Sequence, residues 1–193
     1  VISNFWKEHG HWKIDPGETV LEVGPGKFPC PYATHWVDIV PNPLVPLCEV
    51  ANVESLPFAD KQFNVAVCSH VLEHTDYPER AISELQRVAK RGVIEVPSAQ
   101  KDWLCQHGNV HTRWQILMCG NGLVFVEMNP SPLPALLDKA TESFAWNCIW
   151  NPRNEVENDL NALYWSNLEF FNPTIYWSPE SPVRYKIIRS TDV

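Results

Sequence analysis

Apolar residues in the first half of the chain come in short runs, each close to one polar residue. Val20, Leu21 and Val23 flank Glu22; Trp36, Val37, Ile39 and Val40 flank Asp38. Val65, Ala66, Val67 and Cys68 follow Asn64, and Val93, Ile94 and Val96 flank Glu95. Runs of this length suit strands buried on both faces of a parallel sheet. They predict strands over 19–23, 36–40, 64–69 and 93–96, with a shorter one that starts at Cys48 and ends near Asn52.

Between 76 and 92 the period changes. Ala81, Ile82, Leu85, Val88 and Ala89 recur at helical spacing. Asp76 and Glu79 have the spacing of a capping box, Lys90 and Arg91 suit the negative end of a helix dipole, and Gly92 suits the residue just past a helix. With strands 64–69 and 93–96 on either side, this is a βαβ unit. The earlier connections are abbreviated. Gly26 and Asp38 stand too close for a full crossover helix with its loops, and 41–47 is rich in proline. The predicted fold class is α/β: a Rossmann-like doubly wound sheet, mostly parallel with an antiparallel C-terminal strand, and with shortened first crossovers.

Outside this block the pattern is looser. Residues 3–12 suit a short opening helix, Leu123–Val126 a short strand and 133–144 a helix. Phe144–Trp150 and Val183–Ile188 are the candidates for the last two sheet strands, as an antiparallel pair. The stretches 98–122 and 151–182 read as insertions into a single domain that spans 1–193.

Composition narrows the classes. A chain of 193 residues holds one domain with a full core. The net charge of −8 argues against bulk nucleic acid or an anionic membrane as partner. No apolar run reaches spanning length, and no leader pattern stands at the start. The six cysteines form no C-x-x-C pair, so free thiols in a reducing cytoplasm are expected, and no metal site.

The chemistry gathers at strand ends. Gly24 and Gly26, around Pro25, let the chain turn sharply where the first strand stops. The third glycine of a dinucleotide fingerprint is replaced by Pro29, and Glu22 is an acid just before the turn. That pairing suits a ligand with a cationic end and no phosphate, and it disfavours a nicotinamide-dependent oxidoreductase. Asp38 at the tip of the second strand is placed to accept bonds from ribose hydroxyls, or to cap a turn.

Glu22-Val-Gly-Pro-Gly26, Asp38, Asn52-Val-Glu54 and Cys68-Ser-His70 follow one another in an order that resembles the class I S-adenosylmethionine-dependent methyltransferases. Leu56-Pro-Phe-Ala-Asp-Lys-Gln-Phe63, Asn64–His74 and Ile82–Gly92 are similar to the type 11 branch, and the likeness covers 19–98. It implies S-adenosyl-L-methionine as cofactor. Gly24, Pro25 and Gly26 would pass under its methionine part, and Glu22 would hold its amino end. Asp38 would take the ribose, Ile39 would pack on the adenine, and Asn52 and the Val53 backbone would lie near the adenine edge. Cys68 and Ser69 would line the floor beneath the sulfonium.

The implied reaction moves a methyl group to an O or N atom of a small molecule or glycan-type acceptor. The insertions 98–122 and 151–182 would cover the acceptor side. A hydroxyl or neutral amine acceptor must lose a proton, work that suits histidine. His70 is the first candidate for that base, and His107 and His111 are the next; structural roles stay open for all three. His74 reads as a packing residue, and Arg113 as an acid-binding or surface residue. The alternative function is a degenerate cofactor-binding module that serves as a non-catalytic binding or assembly partner.

Overall fold

The computed structural model describes residues 14–99, 101, 113–119, 122–128 and 152–190. They fall into two compact units, one running to Ile94 and taking up Ile175–Val183, the other Glu95–Thr174 with the chain from Arg184. The predicted helices over 3–12 and 133–144, and the predicted strand 144–150, lie outside the described residues.

The first unit is built on a six-stranded sheet. Its strands are β1 (Val20–Val23), β2 (His35–Asp38), β3 (Glu49–Val50), β4 (Phe63–Ser69), β5 (Ala89–Glu95) and β8 (Thr174–Trp177). Their order across the sheet is β3-β2-β1-β4-β5-β8. The pairs β1–β2, β1–β4 and β2–β3 are parallel. Every residue of β1 is buried, as expected of a strand with neighbours on both sides. The chain winds outward from β1 to β2 and β3, then returns to β4 on the other side. β1 and β4 therefore flank the switch point of a doubly wound sheet.

The outer strand runs against the rest. Just beyond β5 the Val96 amide donates to the Pro173 carbonyl at 3.2 Å and the Ser98 amide to that of Phe171 at 2.9 Å. One segment advances while the other recedes, the antiparallel sense. The fold is thus α/β with a mostly parallel sheet and an antiparallel strand, as the residue pattern predicted.

The strand that closes this sheet is not the one expected. Arg184–Ile188 forms β9 in a separate three-stranded sheet, parallel to β7 (Gly122–Glu127), which is antiparallel to β6 (Trp114–Cys119). The closing strand β8 comes instead from the stretch read as an insertion. Between Pro173 and Pro179, Ile175 and Trp177 are buried and Tyr176 is exposed, a short alternation that the flanking prolines hide.

The crossovers after β1 and β2 contain no helix. Side chains hold them instead. Thr34 Oγ1 accepts the Val20 amide at 2.9 Å, and Asn42 Nδ2 donates to the Gly26 carbonyl at 2.8 Å while its Oδ1 accepts the Leu44 amide at 2.9 Å.

Helix α1 (Pro78–Val88) buries Pro78, Ala81, Ile82, Leu85 and Val88. Its ends differ from expectation. Pro78 opens it with no side-chain cap, and the preceding amides of Asp76 and Tyr77 donate to Glu54 Oε1 at 2.6 and 3.0 Å. Ala89 already begins β5, so Lys90 and Arg91 are strand residues and Gly92 ends no helix. Lys61 closes the helix from outside: its Nζ donates to the Ala89 carbonyl at 3.0 Å and its amide to that of Arg87 at 2.8 Å. Gly92 is small because a Cβ there would meet the Ala66 carbonyl and stand 2.8 Å from the Trp177 ring.

In the second unit Trp114, Ile116, Leu123 and Phe125 form the buried face of the small sheet. Helix α2 (Glu155–Ser166) opens on Asn154, whose Oδ1 accepts the Glu157 amide at 3.0 Å, and a one-turn α3 (Leu168–Phe171) follows.

Candidate cofactor site

Parallel strands end on one edge, so β1, β2, β3 and β4 bring their carboxyl ends together. Gly24–Gly26, Asp38, Asn52 and Ser69–His70 all stand on that edge, at the switch point where doubly wound folds bind ligands.

The turn after β1 needs its glycines. Gly24 has φ +69° and Gly26 φ +53°. The Gly24 amide donates to the Val37 carbonyl at 2.8 Å, which ties the turn to β2. A Cβ at Gly24 would run into Val71 Cγ2, so the residue after His70 fills the space that the missing side chain leaves. Gly26 is exposed, and among the described residues beyond its chain neighbours the nearest atom to its Cβ position is the Gly24 carbonyl oxygen at 4.0 Å. Pro25 between them is buried.

Glu22 is only 3% exposed. Its two oxygens accept the Cys30 amide at 2.9 and 2.8 Å. Burial pushes its pKa from 4.5 up to about 7, while the Cys30 amide and the Trp36 side chain pull the other way. Near neutral pH this carboxyl is poised to ionise beside a cation. Burial likewise pushes the Cys30 thiol up to about 12.

At the tip of β2, Asp38 is half-buried and its Oδ1 accepts the Ile39 amide at 2.7 Å. Ile39 itself is 66% exposed, an apolar side chain in water beside a carboxylate. After β3, Asn52 is exposed and turns its Oδ1 onto the Glu54 amide at 2.9 Å, while Val53 is buried.

β4 delivers Cys68, Ser69 and His70. Cys68 is buried, and its thiol pKa is raised, first by desolvation and then by the charge of Glu73. His70 adopts φ +55°, a left-handed conformation that residues with a Cβ avoid. Its Nδ1 lies 3.3 Å from Glu73 Oε1, and the more exposed His74 places Nε2 at 3.8 Å from the same oxygen.

His107 and His111 lie outside the described residues. Arg113 donates to Glu127 Oε1 through Nε at 3.2 Å and Nη2 at 3.0 Å, an ion pair within the small sheet. Among the described residues no cluster of His, Cys, Asp or Glu has the arrangement of a metal site, and no helix is long and apolar enough to cross a membrane.

Asn42, Val71 and Glu73 also stand on this edge, and the residue pattern did not single them out. Asn42 carried a weak sign, since Pro41-Asn42-Pro43 is a turn sequence. Val71 works through Gly24, remote in sequence, whereas Glu73 lies three residues from His70 and next to His74.

A cradle of this kind fits S-adenosylmethionine. The open turn at Gly26, the carboxylate of Asp38 beside exposed Ile39, and the titrating Glu22 behind the turn match its amino-acid end, its ribose and its flat base in chemical type.

The chain is 28% identical to an uncharacterized methyltransferase of Mycobacterium avium over 115 residues, which make up 51% of this chain and 45% of the relative. It thus spans about half the length of the curated relative it matches. Among solved structures, it is similar to a SAM-dependent methyltransferase of Aquifex aeolicus, with 20% identity, a TM-score of 0.39, and 50% of this chain and 65% of that one covered. It is also similar to the [4+2]-cyclase SpnF, with 22% identity, a TM-score of 0.37, and 45% and 41% covered. Residues 21–95 match the family model described as a methyltransferase domain.

Proposed function

We propose that the protein is an S-adenosylmethionine-dependent methyltransferase that acts on an O or N atom of a small-molecule or glycan-type acceptor. One observation carries the reading: the left-handed glycine turn at Gly24–Gly26 stands at the switch point with Asp38 at the next strand tip. The cofactor, when bound, supplies an activated methyl group, and the acceptor's nucleophile takes it.

The chain's own residues bind and orient. Glu22, oriented by the Cys30 amide that donates to it, meets the ammonium end behind the turn. The backbone of 24–26 passes beneath the amino-acid part. Asp38 accepts from the ribose hydroxyls, Ile39 covers one face of the base, and Asn52 with the Val53 backbone stands at its edge. Cys68 and Ser69 form the floor, and His70 takes the acceptor's proton. His107 and His111 remain further candidates for that base. Alignment and exclusion of water account for most of the rate in such a transfer. The net charge of −8 disfavours bulk nucleic acid as acceptor, and the described free thiols suit a reducing, cytoplasmic setting.

The helix-free crossovers after β1 and β2 favour a second reading, a module that binds the cofactor without turnover. Calorimetric titration with S-adenosylhomocysteine tests the first. Micromolar binding that Asp38→Ala abolishes is the expected result, and no binding at millimolar ligand overturns it. Binding without methyl transfer across an acceptor screen selects the module.

A further inference from the structure

Glu73 is a carboxylate in an unusual place. It is 3% exposed, in the single 3-10 turn Leu72–His74 that follows β4. Burying a carboxylate is costly unless polar groups answer it. Two imidazoles do so here. His70 Nδ1 is at 3.3 Å from Oε1 and His74 Nε2 at 3.8 Å, while Oε2 has no hydrogen-bond partner among the described residues.

The two histidines are not equivalent. The His70 side chain is 33% exposed and that of His74 48%. His70 alone is held with positive φ, at a position where glycine would be relaxed. The turn that holds it is closed by the His74 amide on the Val71 carbonyl at 3.0 Å and by Thr75 Oγ1 on that of Leu72 at 2.7 Å. Backbone strain at a strand tip, maintained beside a buried acid, marks a side chain whose direction matters.

We infer that Glu73 is a positioning residue that holds His70 in its Nδ1–H tautomer and leaves Nε2 as the proton acceptor at the tip of β4. A carboxylate facing one ring nitrogen fixes the proton there and frees the other lone pair. The proton that leaves the acceptor passes to Nε2, and the imidazolium, with Glu73 beside it, returns it to water. This rests on the methyltransferase reading for its use, although the tautomer itself does not.

The test is nitrogen NMR of the histidine-labelled protein, recorded near pH 8, where an ordinary imidazole with a pKa of about 6.5 is neutral. His70→Gln assigns the signal. The expected spectrum has a protonated Nδ1 and a bare Nε2 on His70, and Glu73→Met reverts the ring to the Nε2–H form that dominates in water. Glu73→Gln keeps an acceptor oxygen and retains the Nδ1–H form. Glu73→Ala replaces the Met variant if that one does not fold. An Nε2–H ring in the unaltered protein overturns the inference, as does an Nδ1–H ring that ignores the loss of Glu73. The S-adenosylhomocysteine titration is read separately. Binding lost with the tautomer present sinks the cofactor site and leaves the pair, and the converse sinks the pair alone.

Discussion

Val71 stands where the side chain of residue 24 would be: a Cβ built on Gly24 runs into Val71 Cγ2. The glycine turn after β1 and the tip of β4 are therefore one packed unit. Gly24→Ala has to meet both the overlap and a φ of +69°. The expected cost is about 1–3 kcal/mol in urea or thermal unfolding. Adding Val71→Ala should return the overlap part and leave the conformational part. A double variant no better than the single one would show that Val71 is not what excludes the side chain.

Glu22 gives the stability curve a definite slope. Its folded pKa is about 7 against an ordinary 4.5. The folded protein thus holds a proton that the unfolded chain has lost. That contribution is complete below the ordinary value and disappears as pH rises through 7. Above it, the buried anion costs on the order of 3 kcal/mol relative to acid. Glu22→Gln stays neutral and nearly isosteric. Urea melts from acid to mildly alkaline pH should show a flat curve for the variant across this window and a more stable variant above it. Parallel curves would assign the titration elsewhere.

Arg87 binds the turn 56–60 to helix α1. It donates to the carbonyls of Leu56 at 3.0 Å and Phe58 at 2.7 Å, and its fork grips Glu84 at 2.7 and 2.8 Å. Glu84 in turn accepts the Leu56 amide at 2.7 Å, and Arg87 holds its carboxyl below the usual range. Arg87→Ala should destabilise by about 2–3 kcal/mol, since it strands carbonyls as well as a carboxylate. Arg87→Lys should recover only part, because an ammonium cannot reproduce the fork. An Arg87→Lys midpoint equal to that of the unaltered protein would show that charge alone matters.

Gly92 is fixed by its neighbours across the sheet. Gly92→Ala drives a methyl group against the Ala66 carbonyl and the Trp177 ring. The expected loss is about 1–3 kcal/mol, read by thermal unfolding. Trp177→Phe should soften it by removing the ring atoms that stand 2.8 Å from the added carbon. An unchanged Gly92→Ala would mean that β8 yields at no cost.

The sequence by itself determined the strands that carry the edge and the buried face of α1. Val20–Val23 with its glycine turn, Asp38 at the next tip and the spacing of Ala81, Ile82, Leu85 and Val88 are local signals, set by turn sterics and by the periods of strand and helix. Tertiary structure decided what those signals do not encode. Lys61, remote in sequence, closes α1 before Lys90, so Gly92 lies within a strand and packs on Trp177. Val183–Ile188 and Thr174–Trp177 have similar apolar content, and only the available sheet edges assign them to different sheets. At the candidate site the glycines and Asp38 were legible, whereas Asn42, Val71 and Glu73 were not. Asn42 and Val71 work through Gly26 and Gly24, which folding brings to them; Glu73 stands only three residues from His70, but its burial is set by tertiary packing, which no local spacing records.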